Sequence, residues 1–162
     1  MSRVIGLFAL LCCLAFFAAP AAAQTYGTSP FEGAYVGGYA GGAFDPNAAV
    51  ALGGMAGVNF EVSPGIIAGL EVQGGAELKS GSTTWEGLML ARGGGAVTPD
   101  AMVYGELGVG TVNSVTSWGV GLGGEAIVAP QIGVRGEVIG TGPWGSGLNR
   151  TKATAGLVWH MQ

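Results

Sequence analysis

The sequence predicts an all-β fold, an eight-stranded antiparallel up-and-down transmembrane β-barrel that follows a cleaved signal peptide. Three observations lead to this prediction. Charged residues make up only 10% of the chain, whereas a soluble domain has about 25%. Apolar residues alternate with small or polar ones along the mature chain, which is typical of strands. Beyond Ala23, glycines and charges interrupt every apolar run, so the run of about 20 apolar residues that a spanning helix requires is missing.

The first 23 residues have the three parts of a secretory signal peptide. Arg3 supplies the positive charge, residues 4–19 form the apolar segment, and three alanines at 21–23 provide the small-residue cleavage site. We therefore predict a signal peptide at 1–23, a short N-terminal lead at 24–32 and a barrel domain at 33–162. Both cysteines, Cys12 and Cys13, fall inside the signal peptide. The mature chain then has no disulfide and no cysteine metal site.

Turn signals divide the barrel domain into strands. Pro64, Pro99 and Pro130 mark tight turns, and polar breaks near 45–47, 79–83, 113–116 and 141–149 alternate with them. Such alternation is expected when turns lie on one side of a membrane and loops on the other. The predicted strands lie near 33–43, 50–61, 66–78, 84–96, 101–112, 117–128, 131–140 and 151–161, each close to the span of about 9–11 residues that a transmembrane strand needs.

The two faces of these strands differ in polarity. Between residues 66 and 78, Ile66, Leu70 and Leu78 share one face, while Glu71 lies on the other. The same parity predicts an inward-facing set of charges, whose members are Glu71, Glu86, Arg92, Glu106, Glu125, Arg135, Glu137 and Lys152. An eight-stranded lumen is just wide enough for side chains to fill, so we expect the two arginines to pair with carboxylates and largely plug it. The apolar face then meets lipid.

Aromatic residues near the strand ends predict two girdles at the membrane interfaces. One girdle lies at the end that carries the termini, and its members are Tyr35, Phe60 and Trp159. The other lies at the opposite end, and its members are Phe44, Trp85 and Trp118.

Several stretches resemble a known family in their order and spacing. They are "GAYVGGYAGGAF" at 33–44, "RGGGAVTPDAMVYGELGVG" at 92–110, "WGVGLGGEAIVAPQIGVRGEVIG" at 118–140 and "TAGLVWHM" at 154–161. Over most of residues 33–161 the chain resembles the outer-membrane β-barrel domain family of Gram-negative bacteria, the OmpA/OmpX-like small barrels. The resemblance implies the cell outer membrane, contact with its lipid, periplasmic termini and the barrel-assembly machinery as a partner. Met161 departs from the family pattern, which has a terminal aromatic residue.

A glycine pattern in "WGVGLGGE" invites a different interpretation. Gly119, Gly121 and Gly124 fit the spacing of a dinucleotide-binding loop, and Glu137 follows at a plausible distance. That loop requires a helix directly after it, and here strand alternation resumes instead. We therefore expect no nucleotide and no other cofactor. The net charge of −4 and the lack of a Lys/Arg run also argue against nucleic acid as a partner.

His160 is the single histidine of the chain, and we assign it to the lumen or the interface. With no mature cysteine and no spaced acidic loop, the sequence predicts no metal site. A hydrolase would need His160 close to a nucleophile such as Ser114 or Ser117, but these serines precede or begin a strand at the other end of the barrel. We predict no enzymatic activity, a monomer, and a structural or weak porin-like role. The alternatives are a lipid-modifying outer-membrane enzyme and a soluble secreted barrel that binds a small apolar ligand.

Overall fold

A computed structural model describes residues 29–45 and 47–161, so the predicted signal peptide and most of the N-terminal lead lie outside the described residues. The described chain is built from eight strands, which are β1 (Gly33–Asp45), β2 (Asn47–Ser63), β3 (Ile66–Lys79), β4 (Ser82–Thr98), β5 (Ala101–Val112), β6 (Val115–Ala129), β7 (Ile132–Pro143) and β8 (Arg150–Met161). Each strand pairs with the next, and the antiparallel β8–β1 pair closes the barrel. The predicted fold class is confirmed. No helix among these residues has the length and apolarity to cross a bilayer.

The strands run further than the sequence predicts. β2 and β4 have 17 residues each, because pairing continues into the segments that the polar residues marked as loops. The connections that remain are tight at 80–81 and at 113–114, where Asn113 and Ser114 both have positive φ. Two positive φ values in a row are characteristic of a type I′ hairpin turn, whose twist matches that of the strands. Of the connections that the structure fully describes, the longest joins β7 to β8 at residues 144–149.

The two ends of the barrel have different connections. At one end lie the described N-terminal residues, the C-terminal end of β8 and the turns β2–β3, β4–β5 and β6–β7. We call this the terminal end. We call the other end the loop end. There β1 meets β2, and there lie the connections β3–β4, β5–β6 and β7–β8.

Side chains alternate strictly between the interior and the exterior of the barrel. In β5, for example, Met102, Tyr104 and Glu106 are buried, while Val103 and Leu107 are exposed. At the outward positions of all eight strands, the described residues include no aspartate, glutamate, lysine or arginine. The polarity of a soluble protein is therefore reversed, with charge inside and an apolar surface outside.

Five of the six predicted girdle aromatics lie on the outward face. Phe44, Phe60, Trp85 and Trp159 are exposed, and Trp118 is half-buried beside the 144–149 loop, where its indole N–H donates to the Ser146 carbonyl over 3.0 Å. The prediction for Tyr35 is wrong, because its side chain points into the barrel and is only 1% exposed. Its neighbour Val36 occupies the outward position, and the Tyr35 hydroxyl is needed in the interior to contact a carboxylate.

Candidate functional site

The candidate site is the polar interior of the barrel. All eight charged residues that the sequence assigned to the inward face are buried there, as are three further titratable side chains, Glu77, Arg150 and His160. We use the name lumen network for these eleven residues together with Gln73 and the tyrosines Tyr35, Tyr39 and Tyr104. The strands place them in layers, since neighbouring inward positions on one strand are two residues apart.

Arg135 on β7 is the centre of the lumen network. Its Nη1 atom donates to Glu71 Oε2 on β3 over 2.5 Å and to the Met55 sulfur over 2.8 Å. Its Nε and Nη2 atoms donate to Glu125 Oε2 on β6 over 3.0 and 2.8 Å. The planar guanidinium thus links β7 to β2, β3 and β6, which suits its fixed fork of donors.

Arg92 on β4 supports the same carboxylate from another side. Its Nη1 atom donates to Glu71 Oε2 over 3.2 Å and to the Tyr35 hydroxyl over 2.5 Å. The Tyr35 hydroxyl in turn donates to Glu71 Oε2 over 2.5 Å. The Arg92 guanidinium also lies 3.8 Å from the ring centroid of Tyr104, a cation–π geometry. The Oε2 atom of Glu71 therefore accepts from two guanidinium groups and one hydroxyl.

Neutral donors serve the neighbouring carboxylate, Glu137 on β7. The Gln73 amide donates to Glu137 Oε1 over 2.9 Å and to Glu71 Oε1 over 2.8 Å, which links the two carboxylates. The Tyr104 hydroxyl donates to Glu137 Oε2 over 3.0 Å. Glu106 on β5 is different, because neither oxygen of its buried carboxylate has a hydrogen-bond partner.

Further ion pairs fill the interior towards the loop end. Lys152 on β8 forms a salt bridge with Glu86 on β4, and the Tyr39 hydroxyl donates to the same carboxylate over 3.2 Å. One layer further out, Arg150 and Glu77 form a salt bridge of 3.5 Å. Charged pairs thus continue from the centre of the lumen to its loop-end mouth.

An aromatic residue closes the terminal end. Phe31 precedes β1, is fully buried and packs among Ile67, Met102 and Tyr104. Its carbonyl accepts a hydrogen bond from the Asn59 amide over 3.0 Å. His160 lies beneath it, with the two ring centroids 6.2 Å apart and the planes near perpendicular. No periodic pattern predicts the position of Phe31, because this residue lies before the first alternating segment.

His160 is a lumen residue, one of the two positions that the sequence allowed for it. Its Nε2 atom lies 2.5 Å from Glu125 Oε1 near the terminal end. Ser117, by contrast, is buried at the start of β6 and donates to the Val115 carbonyl, while Ser114 lies in the turn at the loop end. The fold therefore places the proposed nucleophiles and the histidine at opposite ends of the barrel.

Inward glycines make room for the tyrosine rings. Gly123 on β6 faces Tyr104 on β5 in the register, and a Cβ atom at Gly123 would overlap the ring. Gly53 and Gly75 leave the same kind of space for Tyr39. At these three glycines a flat ring lies over the facing glycine.

The pattern of Gly119, Gly121 and Gly124 lies entirely within β6. No helix follows it, and the next element is the β6–β7 turn. Gly119 and Gly121 face inward, whereas Gly124 faces outward. A dinucleotide-binding loop requires a helix N-terminus for the pyrophosphate, so this stretch has the conformation of a barrel strand instead.

Comparisons with known proteins agree with this architecture. No family model matches the sequence, and no curated protein matches it either. Solved structures that match include a de novo designed transmembrane β-barrel, with a TM-score of 0.56 and 20% identity over 78% of this chain and 93% of the other. The fold is that of a small outer-membrane β-barrel. Ail, the attachment invasion locus protein of Yersinia pestis, has a TM-score of 0.56 and 16% identity over 78% of this chain and 96% of its own.

Neisserial surface protein A also shares this barrel, with a TM-score of 0.55 and 10% identity over 79% of this chain and 96% of the other. The family resemblance read from the sequence is therefore confirmed at the level of fold. The matches cover 96% of Ail and 96% of Neisserial surface protein A. The likeness therefore concerns the complete barrel and not a fragment of a larger sheet.

Proposed function

We propose that this protein is a small barrel of the Gram-negative outer membrane with a mainly structural role and a lumen closed by the lumen network. The observation that supports it best is the exterior, which is apolar and free of charge at the outward positions of the described strands. Large exposed apolar surfaces are rare on soluble monomers. A closed barrel satisfies every strand N–H and C=O internally, as hydrocarbon requires.

Export and assembly follow from this proposal. The chain enters the periplasm through a signal peptide cleaved before Gln24, and the barrel-assembly machinery then inserts it into the outer membrane as a monomer. Both termini remain in the periplasm, so the terminal end is the periplasmic end and the loop end faces outward. The short connections at 80–81 and 113–114 favour an integral structural role over surface recognition.

The interior supports a closed lumen over an open pore. Phe31 fills the terminal end, Arg135 bridges the centre, and the pair Lys152–Glu86 lies towards the loop end. A weak porin-like conductance would require these contacts to open. The alternatives fit less well, because a soluble barrel would expose its apolar face to water and the lipid-hydrolase residues lie far apart.

Two measurements test the proposal together. Expression of the full chain in a Gram-negative host, followed by separation of inner and outer membranes on a density gradient, should place the mature chain in the outer-membrane fraction. Recovery in the soluble periplasm would contradict it. The purified barrel in planar bilayers should give no steady conductance steps. Regular, reproducible steps would refute the closed lumen and leave the porin-like role.

A further inference from the structure

The charges inside the barrel do not balance. Among the side chains that the structure describes, six buried carboxylates share the interior with four buried arginine and lysine side chains, which leaves two excess negative charges when His160 is neutral. An uncompensated buried charge is very costly. The interior therefore requires positive charge from some other source.

The excess is confined to two residues. Four carboxylates have an arginine or lysine partner within 3.5 Å, namely Glu71, Glu77, Glu86 and Glu125. Glu137 contacts only neutral donors, the Gln73 amide and the Tyr104 hydroxyl. Glu106 has no hydrogen-bond partner at either oxygen and is only 3% exposed.

Arg92 is the natural partner for Glu106, since the two residues face each other in the β4–β5 register. None of its donors makes a hydrogen bond to Glu106. The Nη1 atom binds Tyr35 and Glu71, the plane stacks on the Tyr104 ring, and the Nε and Nη2 atoms make no hydrogen bond. The network thus leaves Glu106 without the cation that the strand pairing offers.

The geometry points to a bound metal ion. Glu106, Glu137 and Glu71 each bring one carboxylate oxygen to within 4.8 Å of the others. Oxygens that share one Ca²⁺ ion lie at most about 4.6–5.2 Å apart, twice the usual bond length, and Ca²⁺ accepts irregular coordination geometries that Mg²⁺ does not. We propose that these three glutamates hold one calcium-sized divalent cation in the lumen. One such ion would cancel both excess charges.

Each ligand has an oxygen to contribute. Both oxygens of Glu106 are available, so this residue is the principal ligand. Glu137 has one hydrogen bond at each oxygen, and Glu71 has a single donor at Oε1. Carboxylate oxygens can accept more than one contact. The sequence predicted no metal site, because these glutamates lie on three different strands and only the barrel register brings them together.

The test uses the mature barrel refolded in a detergent with an uncharged headgroup, after chelator treatment. Added Tb³⁺, a luminescent ion with the oxygen preference of Ca²⁺, should bind with one-to-one stoichiometry. Excitation of the aromatic side chains should sensitise the emission of Tb³⁺, because the Tyr104 hydroxyl is hydrogen-bonded to the carboxylate of Glu137, one of the proposed ligands. Ca²⁺ should displace Tb³⁺ and raise the thermal unfolding midpoint of the barrel.

A matched pair of variants decides the assignment. Glu106→Gln preserves shape and breaks no hydrogen bond, and it should lower the affinity for Ca²⁺ by at least about tenfold, since affinity follows ligand charge. Glu77→Gln removes another buried lumen carboxylate that lies outside the cluster, and it should bind as the unmodified barrel does. Both variants should keep the gel mobility of the folded barrel.

Three outcomes would overturn the site. Weak, non-saturating Tb³⁺ binding to the folded barrel would show that protons compensate the charge. Equal affinity in Glu106→Gln would place the ion elsewhere. An equal loss of Ca²⁺ affinity in Glu77→Gln and Glu106→Gln would indicate that the acidic interior attracts cations generally. The test does not depend on membrane location or conductance, so its failure would leave the proposed function standing.

Discussion

Replacing Gly123 by alanine tests how tightly the barrel interior is packed. A Cβ atom there would overlap the hydroxyl end of Tyr104 and lie 2.8 Å from ring atom Cε2. That distance is shorter than an ordinary contact of 3.4–4 Å. The ring cannot easily retreat, because it is only 3% exposed, stacks against Arg92 and donates to Glu137. The substitution must therefore displace Tyr104 or bend β6.

The cost follows from those contacts. Overpacking of a filled interior costs about 1–3 kcal/mol, and loss of a hydrogen bond to a charged acceptor costs about 1.5–3 kcal/mol. Since partial relaxation recovers some of both, we expect Gly123→Ala to lower the free energy of unfolding by about 3 kcal/mol. The control is Gly136→Ala on the outward face of β7, where a Cβ atom meets nothing within 4 Å.

The assay is urea unfolding of the refolded barrel in detergent micelles, followed by tryptophan fluorescence. Gly136→Ala should be neutral or stabilising by up to about 1 kcal/mol, because alanine loses less backbone freedom than glycine. In a Tyr104→Leu background, Gly123→Ala should cost much less, since its steric partner is gone. If Gly123→Ala and Gly136→Ala agree within about 0.5 kcal/mol, the range expected for exposed sites, the interior is looser than described.

Three further experiments, with four substitutions, test other parts of the barrel. Arg135→Met leaves two buried carboxylates without their shared cation and should lower the free energy of unfolding by about 3–5 kcal/mol in the same urea assay. A decrease below about 1 kcal/mol, as for an exposed pair, would mean that water reaches these carboxylates. Phe31→Ala should cost about 3–5 kcal/mol, and an unchanged midpoint would show that the terminal end is not sealed by this ring. In lipid vesicles, Leu122→Arg at the middle of β6 should lower the free energy of unfolding by about 2–4 kcal/mol. Val128→Arg near the end of the same strand should lower it by only about 0–1 kcal/mol. Equal decreases for the two variants would argue against a lipid-facing exterior.

Most features of the fold could be predicted from the alternation of inward and outward residues along each strand. In β3 and β7 most large aliphatic residues share one face and the charged residues share the other, with Ile67 and Ile139 as inward exceptions. The inward position of Glu71 or Arg135 could therefore be predicted without coordinates. β1 offers no such contrast, because "GAYVGGYAGGAF" places small and aromatic residues on both faces. Tyrosine suits an interface and a polar interior equally well, which is why Tyr35 was assigned to the wrong face.

The partners inside the lumen could not be predicted in the same way. Arg135 and Glu71 are 64 residues apart and lie on strands that are not hydrogen-bonded neighbours. Their contact depends on how far the strands stagger as the sheet closes, which no local pattern encodes. The same holds for the approach of Glu106 to Glu137. The sequence thus predicts which charges enter the lumen, and the closed register decides which of them meet.

The apolar exterior of this barrel requires a lipid-like environment. The most direct measurement compares the mature chain in buffer, in detergent and in lipid vesicles by circular dichroism and by gel mobility before and after boiling. We predict β-rich spectra and a mobility that changes on boiling in detergent and in vesicles, with aggregation in buffer alone. A folded, monomeric, β-rich protein in detergent-free buffer would contradict the claim.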